Sequence, residues 1–166
     1  LLPATVWGDP DKYRNGKLSP RIVRALKECN PSFLRFPGGC VVEGDEVFEN
    51  QYRWRNTVGP LEKRRQIANT WGYLQSYGVG FYEYFCLCED LKMAPLPVLH
   101  CGLLCQIRVG TQRGENYRRI MPGTRMFKEE VIDNVADLLF FAKGSVGSAD
   151  PNEAYWANVR AEMGHP

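Results

Sequence analysis

The sequence predicts an α/β protein in which parallel strands alternate with helices. Its periodic segments run in the order helix, strand, helix, strand, helix, and two consecutive parallel strands need a crossover that is usually a helix. Both long polar segments follow a strand and precede a helix, whereas the connections into the strands are short. The length of 166 residues and the 44% hydrophobic content suit one domain with a hydrophobic core.

The first helix and the first strand are predicted between residues 19 and 36. In SPRIVRALKEC, Ser19 is a candidate N-cap, Pro20 suits the first turn, and apolar side chains recur at helical spacing. SFLRF, residues 32–36, is a predicted strand that ends at Pro-Gly-Gly. An irregular segment rich in Gly, Asn, Arg and Trp, residues 38–77, comes next.

The second half repeats this pattern. Residues 78–93 restore the helical period, residues 94–102 form a compact apolar strand, and residues 107–124 are a second polar segment. The clearest helix covers residues 126–144, with Thr124 as its cap and Gly144 as its stop. Residues 145–153 are predicted as a loop and residues 153–164 as a further helical turn. The apolar face of the clearest helix is predicted at Phe127, Val131, Val135, Leu138 and Ala142.

Charge and hydropathy exclude several classes of function. With 21 Lys and Arg against 19 Asp and Glu, the chain lacks the broad positive field that a nucleic-acid-binding protein needs. No apolar run approaches the roughly 20 residues that span a bilayer, and residues 1–13 do not resemble a signal peptide. We therefore expect no nucleic-acid partner and no membrane span, and the first residue, Leu1, leaves open a longer parent protein with its own targeting signal.

The six cysteines are predicted to be mostly buried thiols rather than disulfides. Cys86 and Cys88 fall about 200° apart on a helix, so they cannot share one ligand or one bridge. This pattern favours an intracellular protein. His100, Cys101 and Cys105 are an alternative set of zinc ligands, but no second Cys or His pair lies nearby in the sequence, so we expect neither a metal nor any other cofactor.

Arg35 is the first candidate for a ligand-binding residue. It precedes Pro37-Gly38-Gly39 at the end of a predicted parallel strand, and loops at the carboxyl ends of such strands form the active sites of α/β proteins. Its guanidinium fork suits hydroxyl groups or carboxylates. The alternative is a structural ion pair with a buried carboxylate. The nearest carboxylates are Glu43, Asp45, Glu46 and Glu83.

The loop after the first strand combines aromatic side chains with arginines and amides. Such a loop can build a stacking platform for sugar rings, and it could also stack single-stranded nucleic acid. The alternative is that the aromatic rings only anchor the loop to the domain. Residues 63–65, Lys-Arg-Arg, are predicted as a solvated turn. The aromatic candidates are Tyr52, Trp54, Trp71, Tyr73 and Tyr77.

The chain resembles the α-L-arabinofuranosidases of glycoside hydrolase family 51. The matching stretches are LRFPGGCVVEGD, YRWRNTVGPLEKR, WGYLQSYGVGFYEYFCLCEDL, PLPVLHCG and RAEMGHP. They occur in the family's order and cover most of the chain from residue 32 onward. The resemblance implies a (β/α)8 barrel, of which residues 1–166 would be a fragment holding roughly the second and third strands, without the family's C-terminal β-sandwich.

The resemblance also implies the activity of the parent protein: retaining hydrolysis of terminal, non-reducing α-L-arabinofuranosyl groups from arabinan and arabinoxylan. Retaining hydrolysis needs two carboxyl groups about 5–5.5 Å apart, and neither family glutamate matches a residue here. We therefore expect no catalytic residue in this chain and no activity of the chain alone. The alternative is a non-catalytic carbohydrate-binding remnant. A homo-oligomer is one option for the parent.

Three residues match family positions around the sugar. Arg35 matches the arginine before Pro-Gly-Gly that shapes the arabinose subsite. Cys40 stands where many members have a sugar-binding asparagine, so the resemblance implies that it lines the same place in the pocket. Trp71 matches a tryptophan on the loop over the cleft, a candidate platform for the leaving-group sugar. The expected partner is an arabinose-containing oligo- or polysaccharide. Arg65 and His100 depart from the family pattern.

Overall fold

The computed structural model of the protein describes residues 19–44, 48–69, 71–105 and 119–165. Helix α1 covers Pro20–Cys29 and leads into strand β1, Phe33–Phe36. The loop after β1 holds a short helix α2, Gly39–Glu43, and a hairpin of β2, Ile67–Ala68, with β3, Leu74–Gln75. Helix α3, Phe81–Leu91, then returns the chain to strand β4, Ala94–Pro97.

Strands β1 and β4 pair in parallel, which confirms the predicted arrangement. Phe33 lies opposite Ala94, and Phe36 lies opposite Pro97. The pairing extends one step further, where the Val98 N–H donates to the Phe36 carbonyl over 2.7 Å. Because the two strands run in one direction, their carboxyl ends and the loops that follow them lie at the same edge of the sheet.

The long helical segment after β4 runs through α4, Arg125–Phe127, a π-helical turn, Lys128–Ile132, and α5, Asp133–Lys143. The predicted cap is confirmed, since the Thr124 hydroxyl accepts from the Phe127 N–H at 3.1 Å. The last helix, α6, covers Pro151–Glu162 and is longer than the predicted single turn. The Asp150 carboxylate caps it by accepting from the Asn152 N–H at 2.8 Å.

The predicted apolar face of the long helix is wrong in part. Val131 and Leu138 are buried as expected, but Val135 is 42% exposed. Asn134 and Asp137 are buried instead. Hydrogen bonds explain this orientation. The Asn134 carbonyl accepts from Trp54 and the Asp137 carboxylate accepts from Arg55, so this face of the helix contacts the loop after β1.

A cluster of aromatic rings forms the core between α3, α5 and α6. Phe81 and Trp54 are fully buried. The indole of Trp54 lies 4.7 Å from the ring of Trp156 and 5.6 Å from the ring of Phe141, centroid to centroid. Its N–H donates to the Asn134 carbonyl over 3.1 Å, which satisfies the polar atom of a buried indole. The loop after β1 is therefore part of the core rather than an appendage.

Helices able to cross a membrane were sought throughout the described ranges, and none there has the required length and apolar character.

Candidate functional site

The carboxyl end of β1 carries the first part of the candidate site. Arg35 is exposed, while its neighbour Phe36 is 2% exposed and packs into the core. Gly38 has φ +129° and no Cβ. One terminal guanidinium nitrogen of Arg35 lies 3.8 Å from a Cβ built on Gly38, and the other lies 3.9 Å from a Cβ built on Gly39. The glycines thus leave an open floor beside the guanidinium.

Within the part of the chain that the structure describes, Arg35 does not form the structural ion pair that was the alternative. Among the carboxylates that the structure describes, none lies within ion-pair distance of this guanidinium. Glu83, one of the carboxylates considered for it, binds Arg64 instead. Asp45 and Glu46 lie outside the described residues. The N–H groups of an exposed guanidinium are able to donate to the hydroxyls or the carboxylate of a ligand.

Cys40 follows the two glycines and lies on α2. Its side chain is half-buried, and its thiol is not part of a disulfide. The Cys40 carbonyl accepts from the Gly44 N–H at 3.0 Å, which closes the short helix. The next residue, Val41, accepts from the Tyr52 N–H at 2.9 Å. Cys40 is thereby held one residue from the glycine floor beside Arg35.

Trp71 lies on a separate element, the tip of the β2–β3 hairpin. The side-chain oxygen of Asn69 accepts from the Trp71 N–H at 2.9 Å and from the Tyr73 N–H at 3.4 Å. The Asn69 backbone bonds to Tyr73 and Gly72, each over 3.0 Å. Asn69 itself is 5% exposed. One buried amide therefore fixes the backbone of the tip.

The five aromatic candidates divide into two groups. Tyr52, Trp54 and Tyr77 are buried, so for these rings the anchoring alternative is confirmed. Burial raises the pKa of Tyr77 to about 12 and raises that of Tyr52 well above its usual value. Trp71 and Tyr73 are 47% and 58% exposed. Only this second group has a ring surface that a ligand could cover.

An ion pair that the sequence did not predict fixes the base of the hairpin. The Arg64 guanidinium binds both oxygens of Glu83, each over 3.0 Å, with side chains 1% and 3% exposed. It also donates to the carbonyls of Gly59, at 3.0 Å, and Tyr77, at 2.9 Å. Tyr77 follows the hairpin, so Arg64 joins its entry and its exit to α3.

The prediction of a solvated turn over residues 63–65 is therefore wrong for Arg64, although Lys63 and Arg65 are exposed. Glu83 also accepts from the Gly80 N–H at 2.8 Å and caps α3. The capping position, three residues after the helix N-cap, was the one sequence signal for Glu83. No comparable signal separates Arg64 from the two basic residues beside it.

The carboxyl end of β4 carries a buried histidine. His100 is 4% exposed, and its Nδ1 accepts from the Gly102 N–H at 3.3 Å. That bond requires Nδ1 to be unprotonated. Burial first, and then the charge of Arg53, lowers the pKa of His100, while Glu130 opposes the shift. Arg53 and Glu130 bind each other over 3.0 Å. We conclude that His100 is neutral near pH 7.

A second polar contact joins the loop after β1 to the helices after β4. Arg55 binds the Asp137 carboxylate, and its guanidinium lies 6.0 Å from the ring centre of Trp156. The Asn152 side-chain amide donates to the same carboxylate over 2.6 Å. These contacts hold the loop after β1 against α5 and α6.

The zinc alternative finds no support among the described residues. No three His, Cys, Asp or Glu side chains there are grouped closely enough to bind a metal ion. Cys105 is buried and Cys101 is exposed. Three of the six cysteine side chains are buried, namely Cys86, Cys88 and Cys105. Burial raises the pKa of the Cys88 thiol to about 11.

Comparison with known proteins gives one consistent group of relatives. The sequence model of the α-L-arabinofuranosidase 1 domain matches residues 25–166. An extracellular exo-α-L-arabinofuranosidase of Streptomyces chartreusis is 37% identical, over 94% of this chain and 18% of that protein. α-L-Arabinofuranosidase 2 of Arabidopsis thaliana is 34% identical, over 98% of this chain and 22% of that protein. The chain thus spans about a fifth of the length of these relatives.

Solved structures agree with the sequence comparison. The arabinose-bound MgGH51 α-L-arabinofuranosidase superposes with a TM-score of 0.71 and 29% identity, over 91% of this chain and 21% of that chain. The α-L-arabinofuranosidase of Thermotoga maritima, in its arabinose complex, gives a TM-score of 0.61 over 97% of this chain and 26% of that chain. Its identity of 19% supports the fold alone.

Proposed function

Because the chain belongs to the α-L-arabinofuranosidases of glycoside hydrolase family 51, we propose that it supplies part of the sugar pocket of a longer, retaining arabinofuranosidase. The observation that carries this proposal is the exposed Arg35 guanidinium beside Gly38 and Gly39, within the region that the family model matches. In this proposal β1 and β4 are the second and third strands of a (β/α)8 barrel, whose active site lies at the carboxyl ends of the strands.

Retaining hydrolysis divides its chemistry between two carboxyl groups. One protonates the leaving oxygen while the other attacks the anomeric carbon, and water then releases the sugar from the covalent intermediate. We assign both carboxyl groups to parts of the longer protein outside this chain. Glu83 is unsuited to either role, because both of its oxygens bind Arg64 and it is 3% exposed.

The role of Arg35 is to orient rather than to react. Its fork donates to hydroxyl groups of the arabinofuranosyl ring or to a carboxylate partner of that ring, which holds the anomeric carbon in place for attack. Cys40 lines the same floor, where a thiol is a weak donor and leaves more space than an amide. Trp71 covers the sugar on the leaving-group side. The substrate is then a terminal α-L-arabinofuranosyl group on an oligo- or polysaccharide.

The test is hydrolysis of an aryl α-L-arabinofuranoside by the full-length protein and by the 166-residue chain. We expect turnover with retention of configuration by the full-length protein and none by the chain alone. Release of arabinose by the chain alone would contradict the assignment of the catalytic carboxyl groups. An intact full-length protein that binds arabino-oligosaccharides without turnover would favour a carbohydrate-binding remnant over an enzyme.

A further inference from the structure

The tip of the β2–β3 hairpin exposes large apolar side chains in addition to Trp71. Tyr73 is 58% exposed and Leu74 is 70% exposed, next to Trp71 at 47%. By contrast, Ile67 and Tyr77 at the base of the hairpin are buried. Large apolar side chains that are adjacent and exposed indicate a surface that contacts another molecule.

Hydrogen bonds to Asn69 also hold the backbone of the tip. The buried Asn69 side chain accepts from the backbone N–H groups on both sides of Gly72, and its amide group donates to the Gln75 side chain over 3.4 Å. Gly72 has φ +81°, which suits such a turn. A ring carried on a fixed backbone loses little conformational freedom when a ligand covers it.

The chemistry of the tip selects a neutral partner. Residues 66–82 contain no Asp, Glu, Lys or Arg, so the hairpin itself carries no charged side chain for a phosphate backbone or a charged protein surface. It does offer aromatic rings together with the side-chain amides of Gln66 and Gln75 and the hydroxyl of Ser76. Sugar rings pair with such a surface, because they present C–H faces to rings and hydroxyls to amides.

We infer that Tyr73 is a specificity-determining residue that stacks against the main chain of a neutral polysaccharide from which the arabinofuranosyl group branches. This inference rests on the proposed function and adds a specificity-determining residue to it. Trp71 covers the sugar next to the scissile bond, and Tyr73, two residues further along the fixed turn, contacts the next sugar of the main chain. A small aryl leaving group does not reach Tyr73.

The experiment compares two substrates in the full-length protein: an aryl α-L-arabinofuranoside and a soluble arabinoxylan. For Tyr73→Ala, we expect the ratio of kcat/KM on arabinoxylan to kcat/KM on the aryl glycoside to fall about three- to tenfold, the range of a single aromatic contact. Tyr73→Phe keeps the ring and should keep the ratio. The matched control is Tyr155→Ala, since Tyr155 is 59% exposed on α6, and it should leave the ratio unchanged.

An unchanged ratio in Tyr73→Ala would overturn the inference, as would an equal fall in Tyr155→Ala. Electrophoresis in a native gel that contains arabinoxylan measures polysaccharide binding without turnover. It therefore tests the role of Tyr73 even if the proposed hydrolysis fails. If the wild-type protein does not hydrolyse the aryl glycoside, the proposed function fails. Retardation of the wild type, lost in Tyr73→Ala and kept in Tyr73→Phe, would still support polysaccharide binding by Tyr73.

Discussion

Arg35, on strand β1, and Arg64, in the loop that follows this strand, have opposite environments. Arg64 is buried, and its guanidinium binds both oxygens of Glu83 and the carbonyls of two loop residues. Arg35 is exposed beside two glycines and has no ion-pair partner among the described carboxylates. One guanidinium has its donors satisfied within the fold, while the other keeps its donors available for a ligand.

The difference separates residues that stabilise the fold from residues that are able to bind a ligand. A residue whose hydrogen bonds are all made inside the protein contributes to stability, and its loss leaves a buried partner unsatisfied. A residue whose hydrogen-bond donors or ring faces are exposed adds little to stability and is able to bind a ligand. Burial divides the aromatic rings of the loop in the same way, since Trp54 is fully buried and Tyr73 is 58% exposed.

The largest expected effect comes from breaking the supporting pair. In Glu83→Ala, the guanidinium of Arg64 stays buried without its carboxylate and α3 loses its capping side chain. We expect the free energy of unfolding to fall by about 3–5 kcal/mol. Urea unfolding of the full-length protein, followed by tryptophan fluorescence, measures this loss.

A surface pair provides the matched control for that measurement. Glu129 lies 3.7 Å from Arg125, and both side chains are largely exposed. Glu129→Ala should change the free energy of unfolding by less than about 0.5 kcal/mol. Equal effects in Glu83→Ala and Glu129→Ala would show that the Arg64–Glu83 contact does not fix the hairpin base.

The second effect falls on activity alone. Arg35→Ala removes the fork that orients the sugar, and we expect kcat/KM on an aryl α-L-arabinofuranoside to fall about a hundredfold, with an unchanged urea midpoint. Arg35→Lys keeps the charge without the fork and should recover only part of the loss. A fall in stability comparable to that of Glu83→Ala would assign Arg35 to the structural support instead.

The sequence predicted the elements of the fold better than the roles of its polar residues. Helical periodicity and capping residues identify α1, α3 and α5, and the position of the polar loops identifies the parallel pair of β1 with β4. Helix α6 starts at Pro151, two residues before the predicted segment, because the Asp150 carboxylate caps it there. The hairpin was not predicted, since each of its strands has two residues.

The site was predicted in the same uneven way. Arg35 could be proposed because Pro-Gly-Gly follows it, and Trp71 because it matches a family position. Arg64 could not be found, because its burial depends on Glu83, which lies 19 residues later in the sequence. Asn134 and Asp137 were hidden for a similar reason, since their partners lie 80 and 82 residues away. Long-range polar contacts carry no local periodicity.

A smaller effect is expected from the pH dependence of His100. Its pKa is lowered in the folded protein from 6.5, chiefly by burial. The unfolded chain therefore binds a proton more readily, so this residue supports stability above about pH 6.5 and that support is lost as the pH falls through the folded pKa. In His100→Asn, an amide oxygen accepts from Gly102 and does not titrate.

The measurement is the urea midpoint of the wild type and of His100→Asn between pH 7 and pH 5. The wild type should lose more stability than the variant over this range. Parallel curves would show that the Arg53–Glu130 pair beside His100 compensates for its protonation.

The smallest expected effect on the free energy of unfolding concerns the exposed residue Trp71. Trp71→Ala removes a ring that is 47% exposed from the hairpin tip, while the Asn69 side chain still accepts from the backbone N–H of residue 71. The free energy of unfolding should change by less than about 0.5 kcal/mol, as for other exposed positions. Trp54→Ala, its buried counterpart, should lower it by about 3–5 kcal/mol. A loss in Trp71→Ala that approached this value would mean that the indole packs against the body of the protein, and the tip would then be a support rather than a platform.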